Sequence, residues 1–348
     1  MRLTFEKETR IISTLLEKFG ASKEEAAATA EVLAEGDLRG FGSHGMLRLP
    51  YILRAIKRGT IVTNANIKVV RETPATASID GGHGLGHFVA TKAMRLAIQK
   101  AKKVGIGAVG TFNSNHFGIA GYYAELAMFE DLVAIVTTTT DALVHPFGGV
   151  EPLIGTNAFA IGIPSKPPVL LDMAMSIAAR GKLVKALKDG KKIPETWAID
   201  SGGNPTTDPQ AALEGALSPF GGPKGYGLAL ALEILAGPMV GAAAGKNVTG
   251  SLEPVEGYST KGDLMIAINP SAFGDPDEFK NKANDYLKQL IESKKAPGFK
   301  EILPPGGPEY RTRSEQLRDG IIISEEVWAE VSRTAKEAGI DIEKLEQN

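Results

Sequence analysis

The chain has 348 residues, 43% of them hydrophobic and 23% charged, with a net charge of −2. That length suits two domains, or one large domain with an annex, and the charge gives no global pull toward nucleic acid or anionic membrane. Cysteine is absent, which excludes disulfides, thiolate metal sites and a cysteine nucleophile and fits a reducing cytoplasm. No signal peptide is read at the start, and no apolar run is long enough to span a bilayer, so the expectation is a cytoplasmic protein.

Residues 4–19 read as an amphipathic helix capped by Thr4 and stopped at Gly20, and a capping box at Ser22–Glu25 opens a second helix over 23–38. A third helix is expected from Gly45 to Lys57, with Pro50 in or near its first turn. The pattern then changes. Short strand-like runs at 67–72 and 77–80 precede a helix over 87–103, a buried strand over 105–111, a helix over 117–130 and a strand over 132–138. Strands at 159–163 and 169–172 follow, then a helix over 176–188 and an exposed Gly/Pro-rich excursion over 189–222. A helix over 226–236, a strand over 263–269, a surface helix over 276–293, a proline–glycine hinge at 303–308 and a helix from Ser324 complete the chain. This alternation predicts an α/β (α+β) protein. A central mixed sheet with flanking helices occupies 67–309, and both termini join in a helical subdomain, 1–66 with 310–348.

Gly105-Ile106-Gly107-Ala108-Val109-Gly110 spells G-x-G-x-x-G, but a helix precedes it and the glycines lie inside a strand run, so it is not a dinucleotide fingerprint. Gly222–Gly227 is a glycine-rich loop opening a helix with Lys224 at its centre, which suits an anion as well as it suits a surface turn. His83 and His87 are four apart but lack a third ligand and read as turn and helix-start residues, so no metal site is expected.

Ser43, His44 and Arg48 put a hydroxyl, an imidazole and a guanidinium in one short stretch, and a helix would set His44 and Arg48 on one face. His116 stands before another helical pattern. Reduction of a carbonyl by hydride needs a proton donor, which a histidine supplies near neutral pH, and an arginine holds a neighbouring carboxylate in a planar fork. These are the parts of a 2-oxo acid reductase.

The chain resembles the type 2 malate/L-lactate dehydrogenases, a family that includes L-sulfolactate dehydrogenase, ureidoglycolate dehydrogenase, diketogulonate reductase and a reductase of cyclic 2-imino acids. The matching stretches are DLRGFGSHGMLR (37–48), SNHFGIAGYY (114–123), PFGG (146–149), GTN (155–157), DMA (172–174), IPETWAID (193–200), PTTDP (205–209) and GPKGYG (222–227), in order along essentially the whole chain. The resemblance implies an NAD- or NADP-dependent oxidoreductase with a nucleotide site that is not a Rossmann fold, working as a homodimer.

It also implies roles. His116 would be the acid/base, with His44 and Ser43 as partner or alternative, and Arg48, Tyr51 and Asn157 would line the substrate pocket. Thr140, Asp172, Met173, Ala174, Lys224 and the Gly306-Gly307-Pro308 turn would contact the cofactor. Gly-Gly-Pro-Glu stands where many relatives read Pro-Gly-Glu, and Ile52 stands where ureidoglycolate enzymes tend to have tyrosine, which argues against a ureido substrate. Malate/oxaloacetate leads the candidate substrates, with lactate and sulfolactate beside it. The alternatives are a cyclic 2-imino acid reductase and a catalytically silent ligand-binding protein on the same scaffold. No nucleic-acid or membrane partner is expected.

Overall fold

The computed structural model describes residues 1–250 and 257–342; the last residues of the expected C-terminal helical segment, 343–348, lie outside them. A seven-stranded sheet forms the centre, in the spatial order Lys68–Glu72, Thr76–Gly84, Ile106–Ser114, Asp263–Ile268, Val133–Thr138, Phe159–Ile163 and Val169–Met173. Thr76–Gly84 and Ile106–Ser114 run parallel and every other pair is antiparallel, so the sheet is mixed. The parallel pair needs a crossover, and the helix Gly86–Val104 supplies it.

The late strand Asp263–Ile268 inserts between two earlier ones, pairing Asp263 with Thr111 on one side and Thr138 on the other. Helices Gly86–Val104 and Ala120–Met128 bury their alanine-rich faces on this sheet, with Ala90, Ala97, Tyr123 and Ala127 against Val109, Val136 and Met265. Small residues there let the helix backbones approach the sheet closely.

The chain ends meet. Arg2–Leu3 pairs antiparallel with Ile321–Ile322, and Ile11, Leu15, Leu33, Leu49, Ile323 and Val331 share one apolar cluster. The terminus expected to open directly in helix therefore begins as a short strand. Residues 189–222 are not a bare excursion either. Ala198–Ile199 and Ala216–Leu217 are buried and join Ala142–Val144 and Ile154–Gly155 in a four-stranded sheet.

The third helix also departs from expectation. The helix proper is Leu49–Arg58, with Pro50 in its first turn, and two 3₁₀ turns, Gly42–His44 and Met46–Arg48, precede it. Gly45 is extended between the turns (φ −99°, ψ −142°) and lies against Asp37, whose carboxylate accepts the Met46 N–H at 2.5 Å. A Cβ on Gly45 would sit 2.0 Å from that carboxylate. His44 and Arg48 are thus not neighbours on one α-helical face.

Candidate active site

The two parallel strands end side by side, and open sheets of this kind bind ligands beyond such carboxyl ends. Thr76–Gly84 delivers His83 and then His87, the second residue of the following helix, while Ile106–Ser114 delivers Asn115 and His116. Asn115 ties the two ends together, donating from Nδ2 to the carbonyls of His83 and Gly84, both at 2.8 Å. Gly86 makes the approach possible, because a Cβ there would meet the Asn115 carbonyl oxygen at 2.0 Å and that of His116 at 2.3 Å.

The turns before Leu49–Arg58 fold onto this point. The His44 and His116 rings stack with centroids 5.4 Å apart, and His87 meets His116 edge-on at 6.2 Å. Ser43 Oγ lies 2.8 Å from His44 Nδ1, and Arg48 Nε donates to the Ser43 carbonyl at 2.9 Å, which brings the guanidinium back over the turn. The Gly118 N–H donates to His116 Nδ1 at 3.3 Å. The four residues expected to act together, Ser43, His44, Arg48 and His116, therefore converge, through tertiary packing rather than a shared helix.

Burial, then the charge of Arg48, pushes His44 down to about 4. Burial also pushes His87 down to about 3, with Lys261 and Arg48 adding to it. His116 is held well below its usual value by burial first, then by Arg48, His44, His87 and Lys261. The cluster is a set of neutral imidazoles beside a fixed cation, an environment that welcomes an anion. Among the described residues no group of three or more His, Asp or Glu is arranged to hold a metal ion.

The other expected residues divide. Tyr51 is buried, and its hydroxyl lies 3.4 Å from the Gly250 carbonyl. Asn157 is fully buried with both ends of its amide engaged. Its Oδ1 accepts the Thr140 N–H at 3.0 Å and its Nδ2 donates to Glu233. These contacts tie the Thr140 backbone to the Glu233 side chain.

Thr140 is linked to the end of the Val169–Met173 strand in short steps: its hydroxyl accepts the Thr156 N–H at 2.8 Å, and the Met175 N–H donates to the Thr156 carbonyl at 2.7 Å. The Phe220 N–H then donates to the Met175 carbonyl at 3.0 Å, drawing in the loop that leads to Lys224. Lys224 is exposed in the first turn of the helix Pro223–Ala236. Thr140, Met173, Ala174 and Lys224 thus belong to one region.

Asp172 and the Gly306-Gly307-Pro308 turn meet at a second region, a cavity of about 380 Å³ lined by Arg39, Phe41, Asp172, Gly306, Pro308 and Glu309. Gly306 (φ +88°) packs on the strand there, and a Cβ would lie 2.8 Å from the Leu170 carbonyl oxygen. Asp172 accepts the Gly121 N–H at 2.7 Å and is pushed up to about 6, by burial against the opposing pull of that bond and Arg39, with Glu309 adding to the rise. A polar-ended apolar cleft of this size suits part of a dinucleotide.

Three groups escaped the sequence reading. His87 was placed as a helix-start residue, which it is, but its ring is buried beside His116 and neither nitrogen has a hydrogen-bond partner. Lys261 and Asp263 are fully buried and paired, and Glu233 braces Asn157, Gly155 and Gly245. The available signal was Lys261-Gly262-Asp263, two opposite charges opening the otherwise apolar strand Leu264–Ile268.

Imidazoles that trade protons beside a guanidinium that grips carboxylates equip a dehydrogenase of hydroxy acids. Comparison with known proteins returns that class. The malate/L-lactate dehydrogenase family profile matches residues 3–332. The L-sulfolactate dehydrogenase of Methanocaldococcus jannaschii is 48% identical over 344 residues, 99% of each chain, and its solved structure superposes with a TM-score of 0.95 over 99% of both. The malate/(S)-sulfolactate dehydrogenase of Methanothermus fervidus is 45% identical over 343 residues, 98% of this chain and 99% of that protein. The malate dehydrogenase of Pyrococcus horikoshii is 40% identical over 339 residues, 95% and 93% of the two chains. The chain belongs to the malate/L-lactate dehydrogenase family and is a 2-hydroxy acid dehydrogenase, for which a nicotinamide cofactor is implied.

Proposed function

We propose that the protein interconverts a 2-oxo acid and its 2-hydroxy acid, that the substrate carries a second anionic group at C3, and that NAD is preferred to NADP. Oxaloacetate/malate and sulfopyruvate/sulfolactate meet this description; pyruvate/lactate lacks the second charge. The observation that carries the reading is the stacked His44–His116 pair with Arg48 folded over the Ser43–His44 turn.

Arg48 would hold the C1 carboxylate in a planar fork and so fix the neighbouring C2 oxygen near the imidazoles. His116 would give a proton to that oxygen as the alkoxide develops and take it back in the reverse direction. His44 would share the task, its ring oriented by the Ser43 hydroxyl. The bound nicotinamide supplies or accepts the hydride. The low proton affinity of the three rings makes the charged form of His116 a strong acid and its resting form neutral.

The cofactor would run from Thr140, Met173, Ala174 and Lys224 to the cavity at Asp172 and Gly306-Gly307-Pro308, on a mixed sheet that is not doubly wound. Asp172 keeps one oxygen without a hydrogen bond among the described residues, and Glu309 lines the same cavity. Arg39 is committed to Glu35 and Glu125. Two carboxylates and a neutralised guanidinium favour a ribose diol over a 2′-phosphate. A cytoplasmic homodimer is part of the same reading. So is a division into a helical unit (1–66 with 310–342 of the described residues) and an α/β unit (67–309 apart from 251–256).

The test is NADH and NADPH oxidation with sulfopyruvate, oxaloacetate, pyruvate and a cyclic 2-imino acid. The expected result is turnover with sulfopyruvate or oxaloacetate, at least about 10-fold better kcat/KM than pyruvate, and faster with NADH. Silence with every 2-oxo acid, or activity on the imine alone, would defeat the proposal.

A further inference from the structure

Behind the histidines lies a charged pair that the mechanism above does not use. Lys261 Nζ is sealed from solvent. It donates to the Asn115 carbonyl at 3.2 Å, pairs with Asp263 and stands 4.8 Å above the Phe117 ring. Asn115 and Phe117 are the two neighbours of His116, so one ammonium touches the chain on both sides of that histidine. Asp263 is fixed in turn: the hydroxyls of Thr138 and Thr111, its register partners on the two flanking strands, donate to its two oxygens, both at 2.7 Å. The late-inserted strand thereby carries a buried cation to the ends of the two parallel strands.

Burying such a pair is costly, and well-packed hydrophobic residues in place of buried ion pairs often stabilise a fold as well or better. Its position supplies a reason to keep it. We propose that Lys261 is a positioning residue for His116: it clamps the Asn115 carbonyl beside that histidine and places a buried positive charge behind its ring, adding to the field of Arg48. The inference rests on His116 being the acid/base. The charged and titratable groups facing His116 are Arg48 and His44 from the turn before Leu49–Arg58, His87 from the start of Gly86–Val104, and Lys261 itself; all lower its proton affinity. Asp263 lies beyond Lys261 and acts on the lysine.

The experiment compares pH profiles of kcat/KM for hydroxy-acid oxidation, which report the free enzyme's base. Lys261→Gln removes the charge while keeping a donor for Asn115 and Asp263. The acid-side midpoint should rise by about half a unit or more, because a cation no longer opposes protonation of the ring. Lys261→Arg should return it toward wild type. Should Lys261→Gln fail to fold, Lys261→Met with Asp263→Asn avoids stranding a buried carboxylate and should move the midpoint the same way. A folded charge-free variant whose midpoint stays put overturns the role of Lys261, even if its turnover falls. Failure of the underlying reading looks different: His116→Ala would then keep its activity and its acid-side limb.

Discussion

At the residue scale the proposed chemistry rests on imidazoles kept neutral by burial and on one guanidinium. His116→Ala should lower kcat by at least ~100-fold with little change in nucleotide affinity, since general acid–base catalysis contributes on that order; steady-state kinetics alongside nucleotide titration will tell. Arg48→Lys should chiefly raise KM for the 2-oxo acid, because a point charge does not replace a planar fork. An unchanged KM across the substrate panel would remove Arg48 from carboxylate binding.

The same rings make stability depend on pH. His44 and His87 are lowered to about 4 and about 3, from 6.5 when free, so below 6.5 the unfolded chain binds protons that the folded one refuses. Their contribution is fully present above 6.5 and is lost as pH falls toward the folded values. Glu8, Asp37 and Asp172 are raised by burial and act with the opposite sign. The informative quantity is therefore the difference between variants. His87→Phe should lose less Tm than wild type between pH 7 and pH 4.5, and parallel losses would show that His87 does not contribute.

At the scale of elements, what matters is how closely two strand ends approach. Asn115 bridges them and Gly86 leaves the room, with a hypothetical Cβ only 2.0 Å from the Asn115 carbonyl oxygen. Gly86→Ala should cost about 1–3 kcal/mol, the usual range for forcing a methyl group into filled space, and should lower kcat by displacing His87 and His116 together. Denaturant melts and kinetics on the same sample check both. Normal stability with normal turnover would mean that the approach is not needed.

Element boundaries were partly legible. Ser22 and Glu25 form the expected capping box, and of the G-x-G-x-x-G glycines Gly105 caps the helix Gly86–Val104 while Gly107 and Gly110 lie within the strand that follows. The Gly45–Lys57 helix was misread at its start because local pattern does not reveal that Asp37, from the preceding helix, captures the Met46 N–H and holds Gly45 extended.

At the scale of the whole molecule, the helix Pro223–Ala236 keeps a row of apolar side chains outward. Leu228, Leu230, Ile234 and Leu235 are 38–51% exposed, and Met239 beyond them is 57% exposed. Such a patch is of the kind that marks contact surfaces, and it is where the proposed homodimer would form. Sedimentation should give a dimer at micromolar concentration, and Leu230→Asp with Ile234→Asp should give a monomer. A monomeric wild type would sink the expectation.

The motifs from Asp37 to Gly227 were readable in the sequence because each is local: a cap, a glycine where the backbone crowds, a histidine before a helix. Those features determined the family and most of the helices and strands, and they supplied the residue types on which the proposed chemistry rests. Only the tertiary structure decided that His87 joins His44 and His116, that Asn157 serves as a brace, and that Lys261 and Asp263 stand behind the histidines. The physical reason is sequence distance. Asp263 reaches Thr111 and Thr138 because a strand made late inserts between two made early, and no pattern of period 2 or 3.6 records which distant strands become neighbours.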